Sequence, residues 1–381
     1  MKKKFSKILD FKNFKFKQLD FTLLFVTIIL VIFGVIMVYS ASCYTAEIQY
    51  GNDKFFMIKQ ITGGLLGLTC LIFMTFVDYH KLEKLKWIVL AVSIILLIMV
   101  FIPGIGFSNY GATRWIRLPG FTIQPSEIAK FAFVIWSSSY LAKNYDYVKT
   151  FAGIFPVLIV GGIYCLLIIL EPNMSITMCM AITMIVMLFV GGIRAKHFAL
   201  LGSVGALAVP ALIIAEPYRL NRLVAFLNPW LNPKTEGYQL IQSLYALGAG
   251  GLFGVGLFNS RQKYMFLPFA ESDFIFSIIG EELGLFGCLL VIILFGILIY
   301  HGIKIAMHAT DRFGSYLATG ITTVIASQVL INIAVVTGSI PPTGVPLPFI
   351  SSGGTALVVF MSAIGVLLNI DMQSKKQFLL K

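Results

Sequence analysis

The chain has 381 residues, of which 58% are hydrophobic and only 12% charged, and its mean hydropathy is +0.89. Soluble globular proteins carry roughly 25% charged residues. The composition therefore excludes a disordered chain, a collagen-like fibre and an ordinary soluble enzyme, and it predicts a polytopic membrane protein. The net charge of +12 does not indicate nucleic-acid binding, because most Lys and Arg residues lie in short segments between apolar runs. Membrane lipids, and no nucleic acid, are the expected surroundings.

Ten apolar stretches follow one another along the chain. Most are close to the ~20 residues of a membrane-spanning helix, whereas the strands of a membrane barrel are about 10 residues long and alternate in polarity. Backbone groups in lipid must be hydrogen-bonded within the segment, so each stretch is predicted to be a helix. The predicted segments are 21–41, 58–78, 87–104, 127–143, 151–171, 174–193, 197–216, 274–302, 314–338 and 353–371.

The distribution of positive charge predicts how these helices are oriented. With the N-terminus inside, 19 of the 29 Lys and Arg residues fall in cytoplasmic segments and 9 in outward ones, which is the bias expected of membrane proteins. We therefore predict an all-α polytopic membrane protein with ten transmembrane helices and both termini cytoplasmic. A basic tail covers 1–20, the membrane domain covers 21–371 and a second tail covers 372–381. One large outward loop, 217–272, joins helices seven and eight, and within it residues 237–256 suggest a short amphipathic helix at the outer interface.

Few side chains are available for acid–base catalysis at the outer face, because all four histidines fall on the predicted cytoplasmic side. Acid–base work there must use carboxylates, Lys or Tyr. Asp273 is the most informative carboxylate, since it stands where the long loop meets the eighth helix. A helix N-terminus would keep it ionised, so it could accept a proton from a substrate hydroxyl. The alternative, which is compatible with the first, is that Ser272 or Asp273 caps the helix.

Basic residues form a second feature of the predicted outer face. The planar guanidinium of arginine suits phosphate oxygens, so these residues predict a site for a phosphate-containing ligand. Binding to lipid headgroups is the alternative. The residues are Arg114, Arg117, Arg219, Arg222, Arg261 and Lys263.

Charged residues also occur inside two of the predicted helices. Glu127 and Lys130 are three residues apart and share a helix face, so we expect them to pair, since an unpaired ammonium in the membrane is costly. Glu281 and Glu282 lie about two turns into the eighth helix. Carboxylates at such a depth are functional candidates, and pairing with a cation or with backbone groups in the bundle is the alternative.

The segment Thr337–Ala356 contains four prolines and four glycines. It cannot be a continuous helix, and we expect a re-entrant or capping loop at the outer face. The hydroxyls of Ser351, Ser352 and Thr355 could bind sugar or phosphate there. The sequence has no nucleotide-binding motif, so an ATP-driven pump is not expected.

Five motifs together make the chain resemble the SEDS family (shape, elongation, division and sporulation), and its division branch more than its elongation branch. They occur in order and span residues 111–354. The motifs are GATRWIRLPGFTIQPSEIAK, YRLNRLVAFLNPW, GYQLIQSLYALGAGGLFGVGL, SDFIFSIIGEELG and PPTGVPLPFISSGG.

The resemblance implies a peptidoglycan glycosyltransferase that polymerises lipid II on the outer face of the membrane. A GlcNAc 4-hydroxyl would attack the MurNAc anomeric carbon, and polyprenyl pyrophosphate would leave. Asp273 falls on the family's essential aspartate and is the expected general base. Glu127 and Lys130 fall on a functionally important pair, which we expect, with Glu282, to support the site. Arg114, Arg219 and Arg222 are expected at the pyrophosphate, by charge and position.

The sequence departs from the family pattern at two places. Phe269 stands where the family often has Glu, and Glu271 could serve instead. A divalent cation, Mg²⁺ or Mn²⁺, could assist the reaction, but these residues leave its ligands unknown. In the segment Glu171-Pro172-Asn173, Asn replaces the family's Asp.

The resemblance also implies partners and a location. The expected partners are a class B penicillin-binding protein, which crosslinks the glycan strands, and other division proteins at the septum of a bacterial cell membrane. Two alternatives to the enzyme are a lipid II flippase and a non-catalytic scaffold that only recruits a septal transpeptidase.

Overall fold

The computed structural model describes residues 19–109, 112–118, 121–214 and 217–378. Twelve helices lie within these ranges. They are α1 Phe21–Tyr50, α2 Phe55–Phe76, α3 His80–Met99, α4 Pro125–Lys143, α5 Phe151–Leu170, α6 Met174–Val190, α7 Ala195–Ile214, α8 Pro217–Leu227, α9 Tyr238–Gly250, α10 Ile275–His308, α11 Arg312–Val336 and α12 Gly354–Phe378.

Each of the ten predicted apolar segments overlaps one of these helices, α1 to α7 or α10 to α12. Six of the described helices (α1, α2, α5, α10, α11 and α12) are long and apolar enough to cross a membrane. A seventh apolar helix, α6, has 17 residues. The chain is thus a multi-pass, mostly helical membrane protein, while the count of ten spans and the position of the termini remain predictions.

The all-α prediction is wrong for the segment between α3 and α4. Three strands, β1 Gly106–Asn109, β2 Ala112–Leu118 and β3 Phe121–Ile123, form an antiparallel sheet in the order β1-β2-β3. Phe107 of β1 pairs with Trp115 and Ser108 pairs with Thr113. Arg114 is therefore the extra residue of a bulge in β2. The side chain of Ile116 is buried, and that of Arg117 is exposed. We call the end of the bundle that carries this sheet the sheet end.

The predicted outward loop also contains more structure than expected. Helices α8 and α9 lie in it, and α9 does not rest at an interface with its polar face outward. The buried Ser243 hydroxyl of α9 lies 2.8 Å from the hydroxyl of Ser277 in α10 and donates to the carbonyl of Val336 in α11 (2.7 Å). The polar face of α9 is therefore turned toward the protein.

Helix α10 is broken at Gly284, whose φ of 66° and ψ of −161° are not helical. The break lies ~14 Å along the helix from its first residue, Ile275. The segment after α9 hydrogen-bonds the backbone around it: the Val255 amide donates to the Glu281 carbonyl (2.9 Å), and the Leu285 amide donates to the Gly251 carbonyl (2.9 Å). Helix α9 and residues 251–256 therefore run alongside α10.

The central helix of the bundle is α11, which packs against α4, α6 and α10. It ends at Val336, and no helix follows until Gly354, as the four prolines indicate. We call residues 337–353 the proline loop. At the other end of the bundle, α12 extends to Phe378, so the predicted C-terminal tail begins as helix. Most of the predicted N-terminal tail lies outside the described residues, although Asp20 caps α1 through the amide of Leu23 (3.1 Å).

Candidate functional site

Asp273 lies two residues before the start of α10 and is half-buried. Its carboxylate accepts a hydrogen bond from the Ser272 hydroxyl (2.9 Å). The N-cap residue of α10 is Phe274, and no side chain caps the helix. The capping interpretation of Ser272 and Asp273 is therefore wrong, and the carboxylate of Asp273 is left for another role.

The proline loop surrounds the segment that carries Asp273. The hydroxyl of Ser351 donates to the carbonyl of Ser272 (2.6 Å), and the amide of Ser352 donates to the carbonyl of Glu271 (2.9 Å). A Cβ atom at Gly344 would lie 2.9 Å from Oδ2 of Asp273. The loop thus fixes the backbone on both sides of the carboxylate, and Ser352 contributes through its backbone amide.

The positive charges of two predicted arginines, Arg114 and Arg222, favour the ionised form of Asp273 and so act to lower its pKa. Arg114 comes from β2, and its Nε donates to the carbonyl of Glu171 (3.2 Å), beside a second bond from its guanidinium to the carbonyl of Pro172. Arg222 comes from α8 and donates to the carbonyl of Pro342 in the proline loop (3.3 Å). Strand β2 and helix α8 are distant in sequence, so only the fold brings these guanidinium groups to one carboxylate.

The other predicted basic residues are placed differently. Arg117 is exposed, and its guanidinium lies 4.1 Å from the centre of the Phe107 ring. The side chain of Arg219 lies outside the described part of the structure. Lys263 does not extend the basic surface as we expected, because it is buried and its ammonium lies 3.5 Å from Glu282.

Glu281 and Glu282 therefore follow the pairing alternative. The Glu282 carboxylate also accepts hydrogen bonds from the Ser40 hydroxyl (2.6 Å) and the Ser260 amide (3.2 Å). Glu281 accepts from the Ser260 hydroxyl and from the Arg261 amide (2.9 Å). Through these hydrogen bonds, the two buried acids of α10 hold the segment around Ser260 against α10, and Glu282 also binds Ser40 of α1. They support the architecture rather than presenting a charge to a ligand.

Burial dominates the electrostatics of the two acids beside the proline loop. It raises the pKa of Asp273, while the hydrogen bond from Ser272 and the charges of Arg114 and Arg222 act in the opposite direction. Burial also raises the pKa of Glu271, and the neighbouring charge of Asp273 raises it further. An aspartate with a raised pKa is a stronger base than an exposed one.

Sequence reasoning assigned no role to Glu171, the residue that follows α5. Its side chain is only 1% exposed, and neither carboxylate oxygen has a hydrogen-bond partner in the described part of the chain. Burial raises the pKa of Glu171 to about 8, against the opposing effect of Arg114. The next residues join the site to α6: Asn173 caps that helix through the Ile176 amide (3.3 Å), and the Ser175 hydroxyl donates to the carbonyl of Thr343. An Asp, which the family pattern has at this position, could cap the helix in the same way, so Asn173 can replace it in this role.

The predicted pair of Glu127 and Lys130 is present. Their side chains are fully buried, and Nζ of Lys130 lies 2.9 Å from Oε2 of Glu127. The Lys130 ammonium also donates to Oε1 of Gln328 on α11, and Nε2 of Gln328 donates to the carbonyl of Pro346 (3.0 Å). Gln328, a residue that the sequence analysis did not single out, links the pair to the proline loop.

A cavity of about 290 Å³ adjoins the proline loop. It is lined by Arg222, Thr235, Glu236, Gln239 and Pro342. Arg222, whose charge also acts to lower the pKa of Asp273, lines this cavity, so the cavity could hold part of a ligand.

The described residues contain no group of three or more His, Cys, Asp or Glu side chains placed to hold a metal ion. Glu271 and Asp273 supply two carboxylates close in sequence. Mg²⁺ is commonly held by one or two carboxylates together with substrate phosphates. A divalent cation would therefore need the phosphates of a ligand to complete its coordination, and its involvement remains a prediction.

The fold and the site define a multi-pass helical membrane protein with a half-buried carboxylate, Asp273, whose ionised form is favoured by the charges of two arginines, Arg114 and Arg222. The chain belongs to the FtsW/RodA/SpoVE family of cell cycle proteins, whose family model matches residues 21–376. The resemblance to the SEDS family is thereby confirmed.

Two curated relatives cover almost the whole chain. The chain is 41% identical over 357 residues to stage V sporulation protein E of Bacillus subtilis, which covers 93% of this chain and 98% of the relative. It is 39% identical over 353 residues to a probable peptidoglycan glycosyltransferase FtsW of Geobacter sp. strain M18, covering 92% and 96% of the two chains.

Solved structures share the fold. One comes from work on the structural coordination of polymerization and crosslinking by a peptidoglycan synthase complex; it has a TM-score of 0.76 and 25% identity, and the match covers 93% of this chain and 98% of that one. The rod shape determining protein RodA of Thermus thermophilus has a TM-score of 0.67 and 22% identity, with coverage of 93% and 96%.

Proposed function

We propose that this protein is a peptidoglycan glycosyltransferase that polymerises lipid II into glycan strands at the outer face of the cytoplasmic membrane. The names of its FtsW relatives support the activity. The observation that carries the proposal is the environment of the Asp273 carboxylate. It is half-buried, it does not cap α10, and the charges of Arg114 and Arg222 favour its ionised form.

In this mechanism Asp273 accepts the proton of the GlcNAc 4-hydroxyl as the hydroxyl oxygen bonds to the anomeric carbon of MurNAc. The bond between that carbon and the pyrophosphate oxygen breaks, and the electron pair leaves with the polyprenyl pyrophosphate. Burial keeps Asp273 basic enough for this transfer. Arg114 and Arg222, with Arg219 from the same helix as Arg222, stabilise the charge that gathers on the departing pyrophosphate.

The ten-span topology fits this reaction. With both termini inside, the sheet end faces outward, so the acid and the arginines would meet a lipid-linked substrate at the membrane boundary. We further propose that the protein acts at the division septum with a class B penicillin-binding protein and other division proteins. A synthase complex that couples polymerization and crosslinking among the structural neighbours supports such a partner.

The test is polymerisation of lipid II by the purified protein in detergent, with and without the partner. We expect glycan polymer from the wild type and almost none from Asp273→Asn. The matched control is Asp53→Asn, which removes another carboxylate of the predicted outer face whose partner is the Tyr39 hydroxyl (3.0 Å). This control should retain full activity.

Two other outcomes would favour the alternative functions. A wild type that makes no polymer even with its partner, but moves lipid II across vesicle membranes, would favour a flippase. An Asp273→Asn protein that supports cell division at the normal protein level would favour a scaffold. Either result would refute the enzyme.

A further inference from the structure

Two amide side chains on α11 reach the segment that carries Asp273. Gln328 and Asn332 are buried and lie one helical turn apart. Nδ2 of Asn332 donates to the carbonyl of Asp273 (2.8 Å) and to the carbonyl of Val345 (2.6 Å). One turn away, Nε2 of Gln328 donates to the carbonyl of Pro346 (3.0 Å). Three carbonyls on two separate segments are thus held by one rigid helix.

The chemistry of Asn332 indicates that it is used as a donor. A side-chain amide nitrogen has two hydrogens, and the two bonds to Asp273 and Val345 use both. Its Oδ1 is buried and accepts no hydrogen bond from the described residues. A buried amide oxygen without a partner costs about 1–3 kcal/mol, which an apolar side chain would avoid. The value of the Asn332 side chain in this structure therefore lies in the two hydrogen bonds that it donates.

Gln328 connects the same arrangement to the buried ion pair. Its Oε1 accepts from the ammonium of Lys130, which is held by Glu127 and lies 5.1 Å from the centre of the Phe360 ring. The path from Glu127 to the proline loop is unbroken: ion pair, amide and loop carbonyl. Two fully buried charges are thereby linked to the loop beside Asp273.

We propose that Asn332 and Gln328 are positioning residues for Asp273. Asn332 ties the Asp273 backbone to the proline loop, and Gln328 fixes that loop against the pair of Glu127 and Lys130. Together they set the place of the Asp273 carboxylate relative to Gly344 and to the bound sugar. This inference rests on the proposed function, because it assigns a task within the same reaction.

Other side chains cannot replace Asn332 in this arrangement. Aspartate has nearly the same shape but would place a charged acceptor against two carbonyl oxygens. Alanine would leave both carbonyls without their side-chain donor. A displacement of about 1 Å at a reacting group can reduce turnover about 100-fold, so small shifts of the segment around Asp273 suffice to impair catalysis.

The first test measures lipid II polymerisation by the full-length protein carrying Asn332→Ala or Asn332→Asp. We expect kcat and kcat/KM to fall together by about 10- to 100-fold with an unchanged KM, because the loss is in the reacting geometry and not in substrate binding. The matched control is Ser327→Ala on the same helix. The buried Ser327 hydroxyl donates to the carbonyl of Val324 within α11 itself (3.1 Å). This control should keep the wild-type kcat.

The second test separates positioning from folding. Gln328→Glu retains a partner for the Lys130 ammonium but loses the donor to Pro346, so kcat per folded molecule should fall by more than the loss of folded protein explains. Gln328→Met removes both functions and should lower the melting temperature as well. Wild-type kcat in Gln328→Glu and Asn332→Asp would overturn the inference, as would a loss of kcat no larger than the loss of folded protein.

Failure of the inference can be distinguished from failure of the proposed function. If the wild type makes no polymer, the proposed enzyme is refuted. If the wild type and Ser327→Ala polymerise lipid II and the Asn332 and Gln328 variants do so equally well, only the positioning roles are refuted.

Discussion

Gly344 lies directly against the carboxylate of Asp273: a Cβ atom at position 344 would come within 2.9 Å of Oδ2. Gly344 also has a φ of +68°, in the left-handed region. The proline loop can approach the acid this closely because glycine has no side chain there and tolerates this conformation. The contact makes the loop, and not α10 alone, a wall of the site.

Substitution Gly344→Ala should therefore reduce polymerisation. The methyl group would displace the Asp273 carboxylate, and the left-handed backbone would add about 1–2 kcal/mol of strain. We expect kcat to fall by about tenfold or more, measured with purified protein and lipid II. Gly104→Ala is the control, since Gly104 has a φ of +88° but no atom within 4 Å of its added Cβ. Equal losses in both variants would mean that strain, and not the contact with Asp273, is responsible.

The buried pair of Glu127 and Lys130 should behave as a unit. Lys130→Met leaves the Glu127 carboxylate buried and unpaired, which should lower the free energy of unfolding by about 3–5 kcal/mol. The double variant Glu127→Gln with Lys130→Met should lose less than the sum of the single variants. Unfolding in detergent would measure all three. Additive losses would show that the two charges do not depend on each other.

Glu171 should make stability depend on pH. Its pKa of about 8 lies above the 4.5 of an ordinary glutamate. Between these values the folded chain binds a proton that the unfolded chain has released, so the free energy of unfolding falls as the pH rises. The change is on the order of 1.4 kcal/mol per pKa unit.

Glu171→Gln cannot titrate at this position. Its melting temperature relative to the wild type should therefore rise steadily from about pH 5 to about pH 8 and then stay level. Thermal unfolding across this range would measure the difference. A difference that is the same at every pH would contradict the assignment of a buried, protonated Glu171.

The pH profile of polymerisation should respond to Ser272. The Ser272 hydroxyl donates to the Asp273 carboxylate (2.9 Å) and thereby lowers the pKa of Asp273, which burial has raised. A base must be ionised, so kcat/KM should decrease as the pH falls through the pKa of Asp273. In Ser272→Ala this decrease should begin at a higher pH. Ser362→Ala, which removes a hydroxyl that donates to the Val358 carbonyl within α12 (2.7 Å), should leave the profile unchanged.

Two glycines of α9 test how closely this helix packs on α10. A Cβ at Gly250 would lie 1.9 Å from the carbonyl oxygen of Gly280, whereas a Cβ at Gly248 would meet no atom within 4 Å. Gly250→Ala should separate the helices and destabilise the protein by at least ~1–3 kcal/mol. Gly248→Ala should stabilise it by about 0.4–1 kcal/mol, because alanine favours the helix. Similar effects of both substitutions on the melting temperature would contradict the close packing.

The local sequence was a good guide to the pair of Glu127 and Lys130 and to the non-helical proline loop. Both depend on residues within a few positions of each other: a helical spacing of three in one case and a cluster of prolines in the other. It was a poor guide to the sheet of β1, β2 and β3. Its strands are 4, 7 and 3 residues long, so an alternating pattern had little length in which to appear.

Lys263 shows that a basic residue in a hydrophilic loop need not belong to a binding site. In the sequence it stands in a hydrophilic loop with other basic residues. In the fold this part of the loop returns beside the broken helix α10, where Glu282 neutralises the Lys263 ammonium. Whether a charge meets a ligand or a buried acid depends on contacts between segments distant along the chain.

Hydropathy, short spacing and motif order are properties of neighbouring residues, so they were enough to predict the class of protein and its family and to select Asp273 as the expected base. The convergence of Arg114, Arg222, Asn332 and the proline loop on Asp273 became visible only in the folded chain. The same is true of the burial of Glu171 beside Arg114. These groups come from separate helices, strands and loops. Their meeting is set by how α4, α6 and α10 pack around α11, which no local pattern encodes.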